Sequence, residues 1–234
     1  MSCHLLVLDS VPIIEQLRLE EALLRTDQRN WCLINSGSSP SVVMGMSAVV
    51  EEVVDLSCLK RLSLPLIRRF SGGGTVVVDE STVFCTFIFN SLDIACAPTP
   101  SAVMQWSHGL LQPVFEPHRF ILQEHDYVID DLKVGGNAQC FSKGRVLHHT
   151  SFLFSWKEER MVVLRMPQKA PEYRLGRPHT CFCNRLEKYF PCQHSFQSAL
   201  IKRVRDRFSV SESCLEEAAQ SLDKPHRRSL QVIL

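Results

Sequence analysis

Two stretches of this chain combine residue types that could do chemistry, Arg69-Phe-Ser-Gly-Gly-Gly-Thr75 and Lys133-Val-Gly-Gly-Asn-Ala138. Three glycines in a row, Gly72 to Gly74, leave a backbone without Cβ atoms, free to turn through φ > 0 and to lie against a ligand. Free N–H groups beside an arginine make a cradle for an anion. Lys133 adds a compact positive charge suited to phosphoryl and carboxylate oxygens, beside a second glycine-softened loop. The pair implies a site for a nucleotide or an acyl-phosphate, worked by positioning and charge stabilisation. The glycine run is not a P-loop, which needs a Gly-Lys-Ser/Thr opening a helix, and its spacing is not that of the dinucleotide fingerprint.

Other candidates are weaker. His148 and His149 are adjacent on an expected strand, so at most one faces a common site. His179, Cys181, Cys183, Cys192 and His194 invite a zinc reading, but Cys-x-Cys is tighter than the usual spacing, and no metal site is expected. Cys85 and Cys140 could carry an acyl thioester if a base lay beside them. The sequence shows no such base, and buried inert thiols are the simpler expectation for both.

The elements that must position these residues follow from periodicity. Pro12 can open a helix whose stripe is Ile13, Ile14, Leu17 and Leu24. Glu20 and Glu21 fall at its margins, where a carboxylate can point into a site, although an edge residue that snorkels to water is the simpler reading. Strands are expected at Leu5–Leu8, and at Trp31–Ile34 and Ser41–Met46 around a Gly-Ser-Ser-Pro turn. Further strands are expected at Thr75–Val78 and Val83–Asn90, joined by a polar turn, and at Arg145–Phe154. Tyr127–Asp130 and Leu132–Val134 form a hairpin about an Asp-Asp turn, with Lys133 on the face opposite Leu132 and Val134. A helix runs from Pro98 or Pro100 to about Leu111. A second, marked by Phe196, Leu200, Val204 and Phe208, lies near the C-terminus. Between them, residues 165–180 read as a basic, extended loop. The fold class is α/β (α+β), one domain over 1–234, with a mixed, largely antiparallel sheet flanked by helices.

Composition sets the outer bounds. The net charge of +1 argues against bulk nucleic acid as a partner. No apolar run reaches the ~20 residues of a membrane span. The first residues lack the basic leader of a signal peptide and the Arg/Ser-rich look of a transit peptide, so a cytoplasmic location is expected, with a mitochondrial one as alternative. Ten cysteines scattered over 234 residues do not form a disulfide framework.

Taken together, Arg69-Phe-Ser-Gly-Gly-Gly-Thr-Val-Val-Val-Asp79 resembles the Arg-Arg-x-Ser-Gly-Gly-Gly-x-Val-x-x-Asp motif of lipoate–protein ligases. Asp130-Asp-Leu-Lys-Val-Gly-Gly-Asn-Ala-Gln139 is similar to their lysine motif, and Arg145-Val-Leu-His-His-Thr-Ser-Phe152 to the strand after it. The resemblance implies the biotin/lipoate ligase catalytic fold, related to class II tRNA synthetases. It implies lipoate and Mg-ATP as reactants, a lipoyl-AMP intermediate, and transfer to a lysine of a lipoyl domain, in a 2-oxoacid dehydrogenase complex or the glycine cleavage H protein. It assigns the catalytic role to Lys133 and ATP contacts to Arg69, Gly74, Thr75, Val76, Val77 and Lys133. Lipoate contacts fall on Ser71, Gly72, Gly73, Lys133, Gly136, Asn137 and His149. No C-terminal accessory domain is expected, which makes a separate accessory subunit a candidate partner. The alternatives are an octanoyl- or lipoyl-transferase, working through a cysteine, and a non-catalytic binder of lipoyl domains that docks through the basic loop.

Overall fold

The run Val83-Phe-Cys-Thr-Phe-Ile-Phe89 sends large side chains to both of its faces, which suits a strand covered on both sides. In the computed structural model it lies within an eight-stranded sheet. The structure describes residues 1–94 and 96–234. Its strands are β1 (Ser2–Asp9), β2 (Trp31–Ser36), β3 (Ser41–Met44), β4 (Leu66–Arg68), β5 (Val76–Val78), β6 (Thr82–Asn90), β7 (Ile121–Gln123), β8 (Asp126–Ile129), β9 (Leu132–Ser142), β10 (Arg145–Leu153), β11 (Ser209–Ser213) and β12 (Gln231–Val232). Its helices are α1 (Ile13–Thr26), α2 (Val50–Val53), α3 (Leu56–Arg61), α4 (Pro100–Leu111), α5 (Glu158–Met161), α6 (His179–Phe182), α7 (Gln193–Arg207) and α8 (Leu215–Ala219).

The large sheet has the order β11-β1-β2-β6-β10-β9-β8-β7, and the small one β12-β4-β3-β5. In the large sheet only the β11–β1 and β1–β2 pairs are parallel; in the small one, only β3–β4. The expected mixed, largely antiparallel α/β fold is therefore present, but divided between two sheets rather than one. The division runs through segments that look like hairpins in the sequence. β2 and β3 go to different sheets, as do β5 and β6. Each short turn is a crossing point instead of a hairpin.

Three apolar layers hold the sheets and helices. On one face of β6, Cys85, Phe87 and Phe89 pack with Val103 and Leu110 of α4 and Phe196, Leu200 and Val204 of α7. On the other, Phe84 and Ile88 pack with Leu17 and Leu24 of α1 and with Ile67 and Val78 of the small sheet. Beyond that sheet, Val42, Met44 and Val77 meet Leu59, Met161 and Val163. The strand period of two is what distributes one strand between two layers.

Two expectations are corrected here. Lys133 to Ala138 is not a second loop; it is the interior of the eleven-residue strand β9. Gly135 is there because the β10 side chains come close: a Cβ would sit 3.2 Å from the Phe152 ring and from Thr150 Cγ2. Glu20 and Glu21 are not edge residues either, being 0% and 2% exposed. α1 is covered by the sheets on one side, while Ser229 and Leu230 donate backbone N–H bonds to the Glu21 carboxylate. Residues 165–180 also differ from a plain extended loop. They contain a helical turn at Glu172–Arg174, and the buried Arg174 guanidinium stacks 4.7 Å from the Phe182 ring.

Candidate active site

The Ser71-Gly-Gly-Gly74 loop connects β4 to β5 and is fastened across the gap to the large sheet. Gly72 N–H donates to Gln139 O at 3.0 Å, and Gln139 N–H returns to Gly72 O at 3.3 Å. Gly73 stands at φ +125°, and a Cβ there would lie 2.6 Å from both Arg69 Nη2 and Asn137 O. No other residue fits that position.

Arg69 holds the loop from beneath. Its Nη2 donates to Gly74 O at 2.8 Å and to Gly72 O at 3.3 Å. The guanidinium is buried and has no carboxylate partner among the described residues. Burial pushes its pKa down to about 10, which leaves it charged at neutral pH. Three buried polar atoms at this loop lack a hydrogen-bond partner among the described residues: Arg69 Nε, Ser71 Oγ and Thr75 Oγ1. Buried polar groups are ordinarily paired; here two hydroxyls and the Nε of a cation are left unpaired among the described residues at one loop, and Arg69 and Thr75 of the three border a cavity where an anion could meet them.

A cavity of about 290 Å³ opens beside the loop. Part of its wall is apolar, from Ile13 and Leu17 of α1, Val43, Val78 and Phe84. The polar part includes Thr75, His125, Asp126, Lys133, Asn137 and His149. Lys133 Nζ lies 2.6 Å from Asp126 Oδ1, and Tyr173 OH donates to Asp126 Oδ2 at 2.9 Å. Burial, with the adjacent Asp126 charge, pushes the Tyr173 phenol far up, so it remains a donor.

The two histidines face opposite ways, as strand geometry requires. His149 lines the cavity, its Nδ1 3.0 Å from Glu20 Oε1 and 3.0 Å from Thr86 Oγ1. Glu20 Oε1 also accepts from Gln16 Nε2 at 2.7 Å and from Thr86 Oγ1 at 2.7 Å, which fixes the buried carboxylate beside His149. His148 points to the far side, near Ser107, Tyr127 and Thr150 hydroxyls; burial and the neighbouring His149 push it down to about 3. Thr150 Oγ1 donates to Asn137 Oδ1 at 2.7 Å and Asn137 Nδ2 donates to His125 O at 3.2 Å, which fixes the amide at the cavity wall.

Of the residues singled out in the sequence, Arg69, Gly73, Gly74, Thr75, Val76, Lys133, Gly136, Asn137 and His149 line this one cavity. Ser71, Gly72 and Val77 do not. Ser71 is buried beneath the loop, Gly72 pairs with β9, and Val77 points into the layer behind because Val76 and Val78 take the cavity face. Asp126 and Tyr173 were missed, and Glu20 was set second to an edge-residue reading. The signal for Glu20 was its place beside the apolar stripe; Asp126 and Tyr173 carried none. No cysteine is among the described residues that line the cavity. Cys85 is buried with Cys3 and Cys32, whose thiols burial pushes up, and burial likewise raises Cys140. Among the described residues no three His, Cys, Asp or Glu side chains gather as metal ligands, and Cys181 and Cys192 are exposed.

Comparison with known proteins agrees with this geometry. The profile of the lipoyl protein ligase A/B catalytic domain matches residues 12–197. Inactive lipoate–protein ligase 2 of Plasmodium falciparum is 25% identical, over 82% of this chain and 66% of that protein. Octanoyltransferase LipM of Geobacillus kaustophilus is also 25% identical, over 59% of each. The chain thus spans less than two thirds of the length of these relatives. In structure it is similar to a lipoate–protein ligase A crystallised with ATP, with a TM-score of 0.75 at 20% identity over 95% of this chain and 92% of that one. It is similar also to a bipartite lipoate–protein ligase of Thermoplasma acidophilum, with a TM-score of 0.74 at 20% identity over 95% and 90%. With a matched segment of this extent and the two motifs closing on one cavity, the chain belongs to the lipoyl protein ligase A/B catalytic-domain family.

Proposed function

We propose that the chain joins a lipoate-like acid to ATP as an acyl-adenylate and passes the acyl group to a lysine amine of a lipoyl domain. The observation that carries this reading is the convergence, at one partly apolar cavity and its loop, of Lys133, Arg69 without a carboxylate partner and the Ser71 and Thr75 hydroxyls without a hydrogen-bond partner among the described residues. Ile13, Leu17, Val43 and Phe84 suit an aliphatic tail. In the first step an acid oxygen attacks the α-phosphorus and pyrophosphate leaves; in the second the acceptor amine attacks the acyl carbon and AMP leaves. Lys133 would offset charge on the acyl and phosphate oxygens, the backbone of Gly74 to Val76 would lie against the nucleotide, and no enzyme nucleophile is needed.

Among the described residues the wall offers no ready magnesium site. Its carboxylate, Asp126, is taken by Lys133 and Tyr173, so a magnesium ion would be held through the phosphates it arrives with. The Thermoplasma ligase is described as bipartite, together with its E2 lipoyl domain; a lipoyl domain is the acceptor proposed here, and a separate accessory subunit the proposed partner in activation.

The test is lipoate-dependent exchange between ATP and pyrophosphate, run with and without a candidate accessory protein. Exchange supports the ligase; none under either condition removes the activation step. Transfer without ATP from an octanoylated donor protein would then favour a transferase. A thioester route has little support, since Cys183, next to Lys133 in backbone pairing, lies outside the lining and is pushed up to about 11 by burial.

A further inference from the structure

Glu20 and Glu21 are neighbouring buried carboxylates on α1, about 100° apart around the helix, and they serve different sheets. Glu20 is held by His149 of β10 and Thr86 of β6, which are cross-strand partners in the large sheet. Glu21 meets a segment that follows 208 positions later. Ser229 N–H donates to its Oε1 at 2.9 Å and to its Oε2 at 3.0 Å, and Leu230 N–H donates to Oε2 at 3.3 Å. Arg25, one turn along α1, balances the charge with Nη2 2.9 Å from Oε1.

From Leu230 the chain passes straight into β12, which closes the outer edge of β4. Gln231 pairs with Arg68 and Val232 with Ile67. Ile233 N–H donates to Leu66 O at 2.8 Å, and Leu66 N–H donates to Leu234 O at 3.0 Å. Leu230 packs into the layer between the sheets, and Ile233 into the layer beyond the small one. Directly after β4 comes Arg69, whose guanidinium holds the Gly72 and Gly74 carbonyls. α1, at the other end of the connection, gives Ile13 and Leu17 to the cavity wall. Residues 229–234 thus tie the helix that lines the cavity to the strand that leads into the glycine loop.

The chemistry of the tie is informative. A buried carboxylate destabilises unless it is paired and hydrogen-bonded, and an apolar contact could hold a passing segment as firmly. What the carboxylate adds is register. It accepts from two successive backbone N–H groups, so a slip by one residue would unpair it and turn Leu230 and Ile233 to the wrong faces of the small sheet. We propose that residues 229–234 are a strap, registered by Glu21, that sets the glycine loop at its working position relative to α1. Glu21 is then a positioning residue of the site, acting through the strap and β4. Only the identity of the ligand that the loop receives rests on the adenylating reading.

The experiment is amide hydrogen exchange read by mass spectrometry, with ATP affinity measured by calorimetry on the same proteins. These are the wild-type chain, Glu21→Gln and a chain ending at Arg228, each checked by circular dichroism. The reporters are residues 69–76 and 136–142, which contain the mutual Gly72–Gln139 backbone bonds. Strands β2 and β6 of the large sheet are the controls. Glu21→Gln and the shortened chain should exchange at least about tenfold faster at the reporters, with β2 and β6 unchanged, and should bind ATP several-fold more weakly. Unchanged exchange at the reporters in a folded shortened chain overturns the proposal. So does an equal rise in every segment, which would make the strap a source of general stability only. If the shortened chain does not fold, Glu21→Gln decides by the same comparison. The exchange readout needs no ligand. A wild-type chain that binds no ATP would therefore sink the adenylating reading, whereas unmoved reporters would sink the strap.

Discussion

Lys133 sits on a strand between a leucine and a valine, and its ammonium is held at the cavity wall by one carboxylate. Lys133→Ala should lower acyl transfer by about 10²–10³, the usual cost of removing a charge-stabilising donor, with melting little changed because the side chain is not core. Full activity in a folded Lys133→Ala protein would refute its role. Thr75 gives a sharper test because two effects carry opposite signs. Its Oγ1 is buried and unpartnered among the described residues, and such a group costs about 1–3 kcal/mol. Thr75→Val should therefore leave stability to urea equal or higher, yet raise KM for ATP several-fold; a loss of stability with unchanged KM would contradict the cradle. Lys133, Arg69 and the glycines were legible in the sequence because rare residues beside glycine runs stand out locally. Glu20 was not: its partner His149 is 129 positions away, and only the fold makes the carboxylate part of the site.

At the scale of elements, β9 shows that a glycine pair can mean crowding rather than a loop. Gly135 faces the Phe152 ring and Thr150, with 3.2 Å left for any Cβ, whereas at Gly136 the nearest atoms are at 3.5 Å. Gly135→Ala should cost about 1–3 kcal/mol through overpacking. Gly136→Ala should keep its melting temperature and lose activity, since the added methyl would enter the wall that faces Lys133. Thermal melts and transfer assays on the two variants test this; equal losses of stability would contradict the local geometry. Helix α1, strand β6 and the β8–β9 hairpin were legible because period and turn residues are local signals. Sheet membership was not, for β2 and β3 alternate alike yet part company at a four-residue connection. The basic segment before α6 also misled as a free docking surface, since Arg174 and Arg177 lie over the Phe182 ring and carry an internal contact.

Across the whole molecule, the site exists only where the two sheets meet, so whatever loosens their shared layers loosens the cavity. His148 connects that integrity to pH. It is buried among Ser107, Tyr127 and Thr150 on the α4 side of β10, and burial, with His149, holds it down to about 3. An unfolded histidine titrates near 6.5. Above that pH both states are neutral at this residue, and it adds no pH dependence. Below it the unfolded chain takes up a proton that the folded chain refuses until about pH 3, so stability falls with falling pH by up to about 1.4 kcal/mol per unit. Acidic groups do not interfere at the top of this window. Asp27, raised by burial but pulled down further by Arg29, settles at about 2, and Glu80, held by Arg160, also at about 2; both keep their stabilising charge until well below pH 5. Urea unfolding at pH 7 and at about pH 5.5 should therefore show a loss of roughly 1 kcal/mol from this one side chain. His148→Gln should start lower at pH 7, having lost its hydrogen bonds, but decline less between the two. A variant that declines as steeply as wild type would mean that the acid sensitivity of the joined sheets comes from another group.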